Sequence, residues 1–397
     1  MTIKKIDLLN LILFVISPFI AIPTILYGVI YKSKFSLVLL ILMIGLISYM
    51  YIPNYADDRA RYFEVYEDFK NSTFLEMFLF FFLVSQDFIL QTLFYFASQI
   101  NLSAQFVFFL VTIISVGFIF FIYNDIISKH KKDFQFGILS IVLLICSISY
   151  QDLLSGTRFM FATSFVLLAY YLGIIENKRW SFLLLFVAAF IHFSTLIFIP
   201  IFFVLKFFRK QAWLYKVMFV VSLLFIIVPK SFVLSLFEFL QLGGALQEKS
   251  SNYLEGNDFV AEGVDGSFGS TIIYYASFLW IFLGYIYLLL TYKKENIYRN
   301  IVFFLATIIN VFFAVPTIFF RYALLLKLML AYLLIYELYT YRKKQIVKLF
   351  CVAFALILIM QIIVMRNNIE KSFFNRNSLS LITILSNTAI GPNDFIE

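Results

Sequence analysis

Ten stretches of this chain are apolar over roughly the length a helix needs to cross a hydrocarbon core, about 20 residues for about 30 Å. They fall near 8–30, 35–53, 104–124, 135–150, 157–175, 213–232, 270–291, 298–315, 321–341 and 346–364. A soluble domain carries about 25% charged residues; here 62% of the 397 residues are hydrophobic and only 14% are charged. In lipid every backbone polar group must be satisfied by the protein, which leaves helices and closed barrels. The strict alternation of a barrel strand is absent. The expected fold is an all-α polytopic membrane protein, a single integral membrane domain over 1–397. The first run is too long for a signal-peptide core and lacks a small-residue cleavage site, so it is expected to stay as a helix.

Two further segments are ambiguous. Segment 74–99 is apolar but interrupted by Glu76, Ser85, Gln86, Asp87 and Gln91, and segment 180–205 holds His192 within an almost unbroken apolar run. The basic loops guide the choice, because Lys and Arg concentrate on the cytoplasmic side. They are Lys32/Lys34, Lys129–Lys132, Lys178/Arg179, Lys206–Lys216, Lys293–Arg299 and Arg342–Lys348. All six share one side if 74–99 stays interfacial or re-entrant and 180–205 is a bent hairpin. His192 is then at the hairpin's outer turn, with Pro200 bending the returning arm. The competing topology has both segments crossing once. Either scheme predicts about 12 crossings. The favoured one puts both termini outside, which Lys4 and Lys5 oppose. Outside the membrane lie a charged loop or helix at 54–73 and an acidic loop at 233–269. A polar, Asn/Ser-rich tail at 366–397 is expected to be loosely ordered.

The net charge of +8 sits in these short loops and does not point to nucleic acid. There is no phosphate-binding loop or dinucleotide fingerprint. Metal spacings such as His-x-x-x-His, Glu-x-x-His or Asp-x-Asp are missing, so no metal and no cofactor are expected. Cys146 and Cys351 lie far apart in apolar runs and read as packing residues.

Four polar features converge on the outer face in the favoured topology. A helix from Asp57 puts Asp58, Arg61 and Tyr62 on one face at i, i+3 and i+4; such a set suits sugars, and equally suits a solvated helix with internal ion pairs. Arg158, in Ser155-Gly-Thr-Arg-Phe159, opens a long apolar helix. An arginine at a helix centre costs about 3 kcal/mol on insertion scales; its planar fork fits phosphate oxygens, or it snorkels to headgroups. Arg321, followed by Tyr322, opens another span, and the two arginines could together clamp a pyrophosphate. His192, beside Ser194 and Thr195, is one of only two histidines. Imidazole titrates near neutrality and serves as a base or proton relay, or bonds between helices.

These pieces together resemble a known family. Asp58-Arg-Ala-Arg-Tyr62 with Tyr66 is one; Ser155-Gly-Thr-Arg-Phe-Met-Phe-Ala162 is the next, followed by Lys178-Arg-Trp and Ala188-Ala-Phe-Ile-His-Phe-Ser194; Phe320-Arg-Tyr322 is the last. The chain resembles a Wzy-type O-antigen or capsular polysaccharide polymerase of the EpsG-like branch. It departs from the pattern at Phe159, where members often carry glutamine.

The resemblance implies a GT-C-like, metal-independent lipid-sugar glycosyltransferase in the bacterial cytoplasmic membrane, its active site facing outward. Its substrates would be two undecaprenyl-diphosphate-linked glycans, a growing chain as donor and one repeat unit as acceptor. Membrane lipid and a chain-length regulator are the implied partners. On this reading Arg158 and Arg321 bind the pyrophosphate, and His192 takes the acceptor proton, with Asp58 its rival. Arg61, Tyr62, Tyr66 and Tyr322 orient sugar. The alternatives are a flippase or other transporter of lipid-linked oligosaccharide, and a polysaccharide ligase.

Overall fold

The computed structural model describes residues 5–83, 88–232 and 268–396. The first half runs α1 (Lys5–Ile16), α2 (Ile22–Ile30), α3 (Lys34–Met50), α4 (Asp58–Phe69), α5 (Phe74–Leu83), α6 (Ile89–Gln99), α7 (Ala104–Ser128), α8 (Phe134–Ser147), α9 (Tyr150–Leu154) and α10 (Thr157–Tyr170). The second half runs α11 (Leu183–Ile191), α12 (Phe198–Phe207), α13 (Ala212–Ser222), α14 (Phe268–Ser277), α15 (Leu279–Leu290), α16 (Ile297–Val311), α17 (Pro316–Tyr341) and α18 (Lys344–Val364). Among the described residues there is no strand, only one isolated bridge from Asn54 to Ile396. The acidic loop expected at 233–269 lies outside the described residues except for its last two.

Among the described residues, four helices are long and apolar enough to cross a membrane alone: α7, Thr157–Ile175, α17 and α18. Thr157–Ile175 and α17 are central, each with 78% of its apolar window buried, against 33% for α18. The outward side chains of α18, including Val352, Leu356 and Ile359, remain apolar, as a lipid-facing surface requires. This is a multi-pass membrane protein built of helices.

The first apolar run is not one crossing. In a straight helix residues 10 and 28 would stand about 27 Å apart. A Cβ at Gly28 would instead fall 3.1 Å from Asn10 Nδ2 and 2.1 Å from Ser36 Oγ, so only glycine fits between them. α1 and α2 therefore fold back as a hairpin. Pro18 disfavours helix at the residue before it and removes a donor, which ends α1 at Ile16. Buried Asn10 donates to Ser36 Oγ at 2.9 Å, and Asp7 accepts from the hydroxyls of Ser33 and Ser36. The start of α1, Lys5 included, thus lies at the same end as Lys32.

Segment 180–205 is a second hairpin. The helix breaks at His192, whose backbone is extended (φ −149°, ψ 113°). A Cβ at Gly173 would meet Ser181 Oγ at 2.3 Å and Phe202 Cζ at 2.4 Å. Both arms therefore return to one level beside the π-helical turn Tyr171–Ile175. Pro200 does not bend the returning arm. It sits in the first turn of α12, where its missing N–H has no intrahelical partner to lose.

The six basic loops gather at one end. Lys32 Nζ donates to the His130 carbonyl at 2.7 Å, and Lys129 pairs with Glu176 at 2.8 Å. Arg209 reaches the Ile175 carbonyl at 3.2 Å, Lys216 pairs with Glu295 at 3.0 Å, and Lys344 donates to Gln135 at 2.7 Å. A cavity of about 430 Å³ opens among Lys129, His130, Glu176, Glu295 and Tyr336. One member of the expected loop set behaves differently. Arg299 is buried inside the bundle, its Nη2 2.6 Å from Glu337, with side-chain exposures of 0% and 1%. Thr291 and Tyr287 complete its hydrogen bonds.

The other end is closed by α4, α6 and the tail. α6 lies beside α4, with Tyr62 stacked on Phe94 at 5.8 Å and Gln99 donating to the Phe69 carbonyl. α6, at eleven residues, is too short to cross a hydrocarbon core alone. The tail is folded rather than loose. Ser380 and Thr383 form a reciprocal cap on the helix Leu381–Ser386. The chain end then returns to α4: Ile396 N–H donates to Pro53, Tyr55 N–H donates to Ile396, and Phe395 packs on Phe63 at 5.4 Å. Buried Ile390, Phe395 and Ile396 supply apolar contact that a polar average over the tail conceals.

Candidate functional site

The site lies at the end away from the basic loops. Arg158 precedes Ile175 by 17 positions and Arg321 precedes Tyr339 by 18, each about 26 Å of helix, while Ile175 and Tyr339 touch the basic loops. α10 begins at Thr157, whose hydroxyl turns back to the Leu154 carbonyl at 3.3 Å. This puts Arg158 in the first turn. Its guanidinium stands over the ring of Tyr62, 5.8 Å from the centroid. The next residue, Phe159, meets the His192 ring edge-on at 5.2 Å. The phenylalanine that departs from the family pattern therefore seats the histidine.

His192 is buried at the hairpin turn. Its Nδ1 accepts from the Ser194 backbone N–H at 3.3 Å and lies 2.8 Å from Ser194 Oγ. A backbone N–H can only donate, so Nδ1 carries the lone pair and the neutral ring holds its proton on Nε2. Tyr322 donates to the Ser194 carbonyl at 3.2 Å and is clasped by Phe198 and Phe312, both at 5.3 Å. Arg321, one residue earlier, is half-buried. The structure thus gathers Tyr62, Arg158, His192, Arg321 and Tyr322 around the starts of α10 and α17 and the turn between α11 and α12.

Three expected residues stand apart. Asp58 and Arg61 pair with each other at 2.6 Å on the exposed face of α4, with side-chain exposures of 41% and 69%. Tyr62, one position on, turns inward. The three share one side of the helix, a sector of about 100°, but only its Tyr62 edge meets α6, while Asp58 and Arg61 face outward. Tyr66 is buried and its hydroxyl donates to the Leu102 carbonyl at 2.7 Å, which fastens α4 to the start of α7.

Several neighbours had not been singled out from the sequence. Arg59 is fully buried; Nη1 donates to Ser48 Oγ at 3.0 Å and to the Leu154 carbonyl at 3.2 Å, and the guanidinium lies 3.9 Å from the Phe108 centroid. It locks α4 to α3 and to the connector before Arg158. Asp152, in that connector, accepts from the Ser149 hydroxyl. Gln361 of α18 donates to the same hydroxyl at 3.2 Å and accepts from the Tyr150 N–H at 3.2 Å. Burial raises the Asp152 carboxyl above the usual carboxylate range, opposed by the Ser149 hydroxyl and the positive charges of Lys327 and Arg321. Lys327 is buried, with Nζ over Phe354 at 5.2 Å. A lone lysine inside a long apolar span is a signal that could have found it.

Among the described residues, no three His, Cys, Asp or Glu side chains are placed to hold a metal. Positive charge gathers at this end: Arg321 and Lys327 act on the Asp152 carboxylate and Arg158 stands over Tyr62, a set that can receive an anion and disperse its charge. The model of the EpsG family matches residues 37–378, a range that includes every residue named at this site. No curated protein and no solved structure shows a match.

Proposed function

We propose that this chain, which belongs to the EpsG family, links lipid-diphosphate-borne oligosaccharide repeat units into a surface polysaccharide. Family membership makes it a polysaccharide polymerase in general terms; the donor, the carrier and the side of the membrane are our reading. The observation that carries it is the pair of half-buried arginines, Arg158 in the first turn of α10 and Arg321 in the second turn of α17, each followed by a residue that packs on the His192 turn, Phe159 and Tyr322. Arginine at these depths is costly unless it meets an anion, and its fork matches phosphate oxygens.

In the proposed reaction the donor diphosphate rests between Arg158 and Arg321. An acceptor hydroxyl attacks the anomeric carbon, and the bond to phosphate breaks with its electrons leaving on the diphosphate. The two guanidiniums meet that charge, a stabilisation that typically contributes about 10²–10³-fold per donor. Tyr62 and Tyr322 supply ring faces for sugar. His192, with its proton on Nε2, is a hydrogen-bond donor to a phosphate or leaving oxygen; to act as base at Nδ1 it would have to release Ser194. Asp58 is occupied by Arg61 in water. By the positive-inside tendency the basic end is cytoplasmic, so the site faces outward.

With purified protein and undecaprenyl-diphosphate-linked repeats, each added repeat should release one undecaprenyl diphosphate. Chain lengthening without release of the diphosphate lipid would contradict the reaction.

A further inference from the structure

We propose that Asp152 is the residue that takes the proton from the acceptor hydroxyl, held for that task by Ser149 and Gln361 in the connector that leads to Arg158. This rests on the polymerase reading above.

The two carboxyl and imidazole groups first expected in the role are occupied elsewhere: His192 Nδ1 by Ser194, and Asp58 by Arg61 on the exposed face of α4. Asp152 differs on three counts. It is densely surrounded by protein yet keeps accessible surface. One oxygen, Oδ2, is fixed by the Ser149 hydroxyl, itself fixed by Gln361 across from α18. The other, Oδ1, lies beside Gly156, 3.5 Å from where a Cβ would stand, an ordinary contact distance. The charged groups facing it are Arg321 and Lys327, both from α17, while Ser149 and Gln361 are uncharged. Cys146 of α8 is a titratable neighbour of Lys327. Among the described residues neither cation closes to ion-pair distance on Asp152, so the carboxylate is held in the field of the diphosphate clamp without being neutralised by it.

The step balances. The acceptor O–H bond breaks and its proton passes to Asp152. The oxygen forms the new bond to the anomeric carbon, and the old carbon–oxygen bond to phosphate breaks with its electron pair on the diphosphate. Asp152 then returns the proton to water. A carboxyl raised by burial accepts a proton better than an ordinary one, and its acceptor form is lost as pH falls through its raised value.

Chain extension from lipid-linked repeats tests this in the full-length protein with Asp152→Asn and Asp152→Glu. General base removal costs typically about 10²–10⁴-fold. Asp152→Asn should lose at least about 100-fold in kcat with KM for the acceptor nearly unchanged, and its residual rate should no longer fall at acid pH. Asp152→Glu should keep measurable turnover with a displaced acid limb. It carries the test alone if the asparagine variant fails to insert. An asparagine variant within about threefold of wild type, or a glutamate variant with an unmoved acid limb, overturns the assignment. Wild-type protein that extends no chains would instead remove the polymerase reading, a different failure.

Discussion

Alanine at Arg158 or at Arg321 should each cut chain extension by about 10²–10³-fold, the loss typical of removing one donor to a developing anion. The expectation follows from position. Both side chains are half-buried near the starts of central helices, and the residue after each, Phe159 in α10 and Tyr322 in α17, packs on the turn that carries His192. Lysine should recover only part of the rate, because it offers a point charge where the diphosphate needs a planar fork. Arg61→Ala is the control: that side chain is paired with Asp58 in water, so its loss should change the rate by no more than about threefold. Steady-state rates on lipid-linked repeats, normalised to inserted protein, provide the measurement. Equal activity in all three variants would remove the diphosphate clamp.

Breaking the Arg299–Glu337 pair should destabilise the protein by about 3–5 kcal/mol, the usual cost of leaving one buried charge without its partner. Both side chains are almost wholly buried, and the guanidinium also binds Thr291 and Tyr287. Glu337→Leu alone is therefore expected to lower the folded fraction in detergent sharply. The double change Arg299→Leu with Glu337→Leu should recover most of it, because neither charge then remains buried. A single variant as stable as wild type in a thermal unfolding assay would refute this.

Much of the architecture was legible because bilayer physics is coarse and demanding. Apolar runs near 104–124, 157–175, 321–341 and 346–364 became the four long helices, since lipid leaves no cheaper way to satisfy their backbones. Requiring six basic loops on one side predicted a break in 180–205, and the chain turns at His192. What failed has local causes. The run at 8–30 hid a hairpin, because Pro18 and the Asn10–Gly28–Ser36 contact matter more there than average hydropathy. Arg299 read as a loop charge because its partner, Glu337, lies 38 positions away. The tail looked disordered from its polar composition, although a few apolar residues, Ile390, Phe395 and Ile396, suffice to dock it on α4.

The site was legible by residue type more than by arrangement. Arginine and histidine in apolar surroundings are expensive enough to stand out, and Arg158, His192, Arg321 and Tyr322 do come together. Asp58, Arg61 and Tyr66 carried the right chemistry in the sequence. Their roles depend on which way α4 rotates, and that is set by Arg59, Tyr62 and Phe63 packing inward. Asp152 was overlooked because a short polar connector gives no periodic signal; only the cross-links from Ser149 and Gln361 single it out.

The most direct measurement is the product formed by purified wild-type protein in liposomes supplied with a single undecaprenyl-diphosphate-linked repeat unit and nothing else. The expected product is a ladder of chain lengths, each still attached to the diphosphate lipid. A substrate that crosses the bilayer unchanged, or one repeat moved onto a different carrier with no ladder, would contradict it.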